Sequence, residues 1–98
     1  MTINKTQNGA DVTLNLEGRL DTTTSPELEA ELKTVLEAAQ TLTMDFSKLD
    51  YISSAGLRVL LAAHKVMSRK GGMKVTNVNE IVQEVFEVTG FADILNIA

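Results

Sequence analysis

Hydroxyl groups are the side chains most able to carry chemistry in this sequence. Ser53 and Ser54 stand side by side, followed at once by Ala55 and Gly56, with Asp50 just upstream. A serine nucleophile needs a base within reach, and the hydrolase elbow also needs a glycine two residues before the serine. Ile52 occupies that place. The only histidine, His64, lies ten residues on from Ser54, which on a shared helix is roughly 15 Å. It is therefore out of reach as a base and is read as a semi-exposed helix residue. Asp21, Asp45 and Asp50 could approach the serines. With no cysteine and one histidine, however, no metal site and no cofactor is expected. Gly71-Gly72 lacks the Gly-x-x-x-x-Gly-Lys pattern of a phosphate loop and reads as a turn. Catalysis thus finds no constellation to support it, and the chain is not expected to be an enzyme. Two readings of the serines remain. One is plain capping, with Ser53 or Ser54 as N-cap and Gly56 allowing close packing. The other is a serine presented at a helix start for modification.

The elements that must position these residues follow from hydrophobic period. Val12, Leu14 and Leu16 alternate with Thr13, Asn15 and Glu17, the signature of a strand with one buried face. Asn8-Gly9 just before them is a favoured hairpin turn, which makes Ile3–Thr6 a first, antiparallel strand. Ser25-Pro26-Glu27 reads as a helix start, with Ser25 the cap and proline in the first turn. Leu28, Leu32, Val35, Leu36 and Ala39 give that helix its apolar stripe. Leu42, Met44 and Phe46 mark a third strand, and Met73 and Val75 a fourth. Between them a second helix runs from about Ser54 to Arg69. Asn79 is placed to cap a third helix carrying Ile81, Val82, Val85 and Phe86, with Gly90 as its stop. Phe91, Ile94 and Leu95 predict a last helical turn folding onto the core. The order is β-β-α-β-α-β-α. It predicts a single α/β domain over residues 1–98, with a mixed four-stranded sheet and the helices mostly on one face.

Composition excludes several functions. Nine Lys and Arg against thirteen Asp and Glu leave a net charge of −4, the wrong sign for a nucleic-acid surface. The longest apolar run, Val59–Ala63, is far too short to span a bilayer. Met1–Ala10 is polar, unlike a signal peptide. No membrane insertion is expected, and the simplest address is the cytoplasm.

A helical wheel of the second helix at about 100° per residue groups Ala62, Val66, Val59, Ala63, Met67 and Leu60 on one arc. That arc is expected to face the sheet. Arg58, Lys65 and Arg69 fall opposite, and Ser54 projects near Lys65 and Leu61 with Leu57 to one side. Two leucines outside the core arc, next to cations and a serine, predict a partly apolar docking patch. The alternative is that Leu57 and Leu61 pack beneath a loop.

Four segments in order give a resemblance that covers nearly the whole chain: Gly18-Arg19-Leu20-Asp21, Asp45-Phe46-Ser47-Lys48-Leu49, Tyr51-Ile52-Ser53-Ser54-Ala55-Gly56-Leu57, and Val82–Phe91 with its Thr89-Gly90-Phe91 exit. Together they resemble the STAS domain, the fold of bacterial anti-sigma factor antagonists, and especially the stand-alone antagonists. The resemblance implies a partner-switching cycle. The unphosphorylated protein binds an anti-sigma factor that is also a serine kinase of the histidine-kinase-like ATPase fold, and so frees a sigma factor. Phosphorylation of the loop serine breaks that complex, and a PP2C-type phosphatase restores it. The family's acceptor serine falls on Ser54. Its preceding aspartate is Ser53 here, which removes a negative cap and leaves Ser53 as an alternative acceptor. The resemblance adds Asp21 and Thr22 as rim contacts, so the expected partner surface comprises Asp21, Thr22, Ser53, Gly56, Leu57, Arg58 and Leu61. A second implied function is a STAS binding module without phosphorylation, such as a transporter subunit or a regulator of another signalling enzyme.

Overall fold

The computed structural model describes residues 1–98. It opens with a hairpin, β1 (Thr2–Asn8) paired antiparallel with β2 (Asp11–Leu20). Asn8 lies opposite Asp11, so the two-residue loop is Gly9-Ala10, one step past the expected Asn8-Gly9. Gly9 takes φ 64 and Ala10 no positive φ. Glycine at the first central position alone is what a type II′ hairpin turn requires.

Helix α1 spans Ser25–Ala38 and buries Leu28, Leu32 and Val35. Its cap differs from the expectation. Thr24 holds the N-cap position, while Ser25 is buried and its hydroxyl donates back to the Asp21 carbonyl at 2.5 Å. Strand β3 runs Thr41–Ile52, well beyond Phe46. Its first half pairs parallel with Asp11–Asn15; two register shifts then let its second half follow Glu17–Leu20. Helix α2 (Ser54–Met67), strand β4 (Met73–Thr76) and helix α3 (Glu80–Thr89) follow. Asn79 caps α3 as its sequence predicts, its Oδ1 accepting from the Val82 amide at 2.8 Å, and Gly90 ends it in the left-handed conformation at φ 83. A 3-10 turn at Phe91–Asp93 leads into a two-residue strand, β5 (Asn96–Ile97).

The sheet therefore has five strands where four are expected, in the order β1-β2-β3-β4-β5, with only the first pair antiparallel. Adjacent parallel strands joined through helices in this order place those helices on one face when each crossover is right-handed. The buried strand residues agree: Val12, Leu14, Leu16, Leu42, Met44, Phe46, Met73 and Val75 form one alternating set, while Thr13, Asn15, Thr43 and Asp45 stay half-exposed. One contiguous cluster of 23 buried residues forms the core. Each fully buried Leu or Phe in it contributes about 1.5–3 kcal/mol relative to exposure. Phe86 of α3 meets Phe46 of β3 with ring centroids 6.4 Å apart, tying the last helix to the central strand.

Helix α2 sits rotated from its expected orientation. It buries Gly56, Leu57, Val59, Leu60, Ala63 and Met67, whereas Ala62 is exposed and Val66 is 39% exposed. Val59, Leu60, Ala63 and Met67 are inward and Arg58 and Lys65 outward as the wheel expects, but the apolar arc is wider than the buried one, so packing decides that Leu57 and not Ala62 or Val66 is covered. At its far end the Lys70 ammonium bonds the carbonyls of Leu36, Glu37 and Ala39, clipping the C-terminus of α1 beneath it.

Candidate functional site

Three chain segments meet at the C-terminal ends of β2 and β3. The Ser53 amide donates to the Leu20 carbonyl at 2.9 Å, which fixes the start of α2 beside the end of β2. Gly56 makes the approach possible. A Cβ there would lie 2.7 Å from Leu20 Cγ and 2.9 Å from Ile52 Cγ1, both core side chains. Ser54, the first residue of α2, is left exposed one residue past that junction.

The loop between β2 and α1 is shaped by Asp21. Its Oδ1 accepts from the Thr23 amide at 3.0 Å, the Thr23 hydroxyl at 2.8 Å and the Thr24 amide at 3.1 Å. The Thr24 hydroxyl donates to the Arg19 carbonyl at 2.7 Å, and its oxygen accepts from the Asp21 amide at 2.9 Å. These bonds, the Thr23 hydroxyl foremost, hold the Asp21 carboxyl below its ordinary pKa. Arg19 leans over the Tyr51 ring, 4.5 Å from its centroid, and its Nε lies 3.8 Å from Asp21 Oδ2. Thr22 is left exposed at the tip of this loop.

The residues expected at the partner surface differ in exposure. Asp21, Thr22, Ser54, Arg58 and Leu61 have some or most of their surface open. Leu57 is 5% exposed and belongs to the core. Gly56 is buried likewise, and its part is to let α2 close on Leu20 and Ile52. Ser53 holds the N-cap position at φ −102, ψ 175, yet its side chain makes no cap bond. Its Oγ is buried without a partner, which leaves that hydroxyl poorly placed to contact a partner or accept a phosphoryl group. Of the two leucines expected to form a docking patch, only Leu61 is half-exposed.

A feature not legible in the sequence completes the site. A shallow groove of ≈ 410 Å³ lies between the first turns of α1 and α2, next to Ser54. Of its lining, Ser25 and Val59 are buried, Ala55 is half-buried, and Thr22, Pro26, Glu29 and Arg58 are exposed. Pro26 and Glu29 belong to one helix and Ala55 and Arg58 to another, so only the packing of α1 on α2 reveals them as neighbours.

Ser54 stands apart from the other groups that could take part in chemistry. Ser54 has no base: His64 is ten residues away along the same helix, roughly 15 Å. Asp21, Asp45 and Asp50 do not gather, and no group of three metal-ligating side chains forms anywhere in the chain. What remains is an exposed hydroxyl on a first helical turn whose cap residue supplies no side-chain bond, where backbone amides and the dipole favour negative charge.

Comparison with known proteins agrees with this geometry. Residues 3–96 match the family model described as Mlab, STAS domain. The chain is 30% identical over 93 residues to the anti-sigma-B factor antagonist of Bacillus subtilis (strain 168), covering 94% of this chain and 85% of that protein. Its fold superposes on an anti-sigma factor antagonist from Mycobacterium paratuberculosis with a TM-score of 0.89 at 21% identity, over 98% of this chain and 83% of that one. SpoIIAA, an anti-sigma factor antagonist, matches in its unphosphorylated form with a TM-score of 0.84 at 21% identity, over 99% of this chain and 88% of that one. The phosphorylated form, from Bacillus, matches with a TM-score of 0.76 at 20% identity, over 99% and 91%. With a family model spanning residues 3–96 and a relative aligned along nearly its whole length, this chain belongs to the STAS domain family.

Proposed function

We propose that this chain is an anti-sigma factor antagonist whose binding is switched by phosphorylation of Ser54. The observation that carries the reading is the placement of Ser54, exposed on the first turn of α2 beside the Asp21 loop and the groove between α1 and α2. Relatives named as anti-sigma factor antagonists support the binding activity. SpoIIAA, solved in unphosphorylated and phosphorylated forms, supports the switch by its kinship of fold. The partner is an anti-sigma factor that is also a serine kinase of the histidine-kinase-like ATPase fold, and a PP2C-type phosphatase resets the cycle. No helix is long and apolar enough to cross a membrane, and the cytoplasm is the compartment in which these partners would meet.

In the modifying step the Ser54 Oγ–phosphorus bond forms as the bond between the β–γ bridging oxygen and the γ-phosphorus of ATP breaks. The hydroxyl proton passes to a base of the kinase, and ADP leaves. The phosphate adds about −1.5 to −2 charge at neutral pH. The helix N-terminus accommodates it within the folded domain. A partner packed over Ser54 would instead have to bury it, and a loss of about 3–4 kcal/mol lowers affinity by two to three decades.

Incubation with the kinase and ATP, followed by peptide mass spectrometry, tests the assignment. Phosphate on Ser54 is expected; phosphate on Ser53 or on a threonine would overturn it. Partner binding with no phosphorylation at all would favour the STAS binding module that works without a covalent switch.

A further inference from the structure

Glu29 on α1 and Arg58 on α2 rim the same groove from opposite sides, and both are exposed. They do not pair with each other; the one ion pair in the chain is Arg19–Asp21. The groove thus offers one unpaired anion and one unpaired cation across a narrow face containing Pro26, Ala55 and Val59. A complementary occupant is a partner segment with small apolar side chains for that face, a carboxylate opposite Arg58 and a basic group opposite Glu29.

Arg58 also has a second potential claimant within its own helix. Ser54 and Arg58 are one turn apart in α2, on the same exposed face. Residues at this spacing have Cβ atoms about 5–6 Å apart, and an anion placed N-terminal to a cation is the favourable order. A guanidinium and a phosphate at that separation form charge-assisted, often bidentate hydrogen bonds.

We propose that Arg58 is a shared anion receptor. In the unphosphorylated protein it holds a carboxylate of the anti-sigma factor segment seated in the groove. In the phosphorylated protein it turns to phospho-Ser54, so the modification both adds repulsive charge and withdraws the cation that held the partner. The inference rests on the reading of Ser54 as acceptor and deepens it. It also gives the groove a polarity: Glu29 orients the segment by taking its basic end.

Two measurements test this, both on the full chain with phosphoserine installed at position 54 during translation. The first needs no partner. A phosphorus NMR titration reads the second ionisation of the phosphate, ordinarily near pH 6. A nearby guanidinium favours the dianion, so the midpoint should lie lower in the wild-type background than in Arg58→Gln, by about half a pH unit. Identical midpoints would overturn the pairing. The second is an affinity cycle against the anti-sigma factor kinase, using wild type and Arg58→Gln, each with and without phosphate. Arg58→Gln should weaken the unphosphorylated complex about tenfold and shrink the effect of phosphorylation by a similar factor. An undiminished effect of phosphate in Arg58→Gln would reject the shared receptor while leaving the switch intact. No effect of phosphate in wild type would reject the switch itself. Glu29→Gln should weaken the unphosphorylated complex; unchanged binding would remove the groove from the interface.

Discussion

Gly56 closes on Leu20 so tightly that a methyl group on it would sit 2.7 Å from the Leu20 Cγ, in a part of the core where Leu20 has no exposed surface. The position of the candidate site depends on this approach, because the same junction carries the Ser53–Leu20 backbone bond that places Ser54 next to the Asp21 loop. Gly56→Ala is expected to destabilise the fold by about 1–3 kcal/mol through overpacking. Urea denaturation measures the loss, and an unchanged midpoint would show that Leu20 and Ile52 yield freely.

The two leucines of the expected patch separate cleanly by burial. Leu57→Ala removes a side chain that is 5% exposed and should cost about 2–5 kcal/mol of stability. Leu61→Glu places a charge on a half-exposed position and should weaken partner binding while the thermal midpoint moves little. If Leu61→Glu unfolds the domain, the leucine belongs to the core and this face has no apolar docking residue.

This difference between Leu57 and Leu61 also shows how far the sequence can be read. Local signals located most elements: the alternation in β2, the Asn79 cap with the Gly90 stop on α3, and the strand-to-helix junction at Ser53-Ser54. They orient α2 only in part: Val59, Leu60, Ala63 and Met67 face inward as expected, but the packed helix also turns Leu57 inward and leaves Ala62 and Val66 outward. They do not reveal β5, whose two residues have no period, or the second half of β3, whose register shifts break the alternation after Phe46. The groove was invisible for another reason: Pro26 and Glu29 are distant in sequence from Ala55 and Arg58.

Acid should weaken the fold through two carboxylates. The Thr23 hydroxyl and then the Thr24 amide hold Asp21 below its ordinary pKa of 3.8, and for Asp45 the Ser47 amide does the same, aided by the Asn77 amide. A carboxyl with a folded pKa below its unfolded value binds fewer protons in the folded state. Its stabilising contribution is therefore present above about pH 4 and is lost as the pH falls through the lower folded value. Asp21→Asn together with Asp45→Asn should flatten the fall of stability below about pH 4. A urea midpoint series would show this, and an unaltered acid limb would assign the sensitivity to other groups.

Lys70 caps α1 from outside that helix, its ammonium bonded to the carbonyls of Leu36, Glu37 and Ala39. Lys70→Met keeps the aliphatic stem and removes the charge, so about 1 kcal/mol should be lost, up to about 2. Thermal melts of the two proteins check this, and equal midpoints would mean that water replaces the ammonium at no cost.

The proposed role of Ser54 as a binding switch is tested most directly by a calorimetric titration of the proposed partner, the anti-sigma factor kinase, with two preparations of this chain. One is unphosphorylated and the other is homogeneously phosphorylated at Ser54, and both must have matching backbone amide spectra away from α2. Tight binding by the first and a loss of at least about two decades in affinity by the second, roughly 2.7 kcal/mol, is the expected result. Equal affinities, or a loss accompanied by spectral change across the whole sheet, would contradict a switch that acts through local charge at the start of α2.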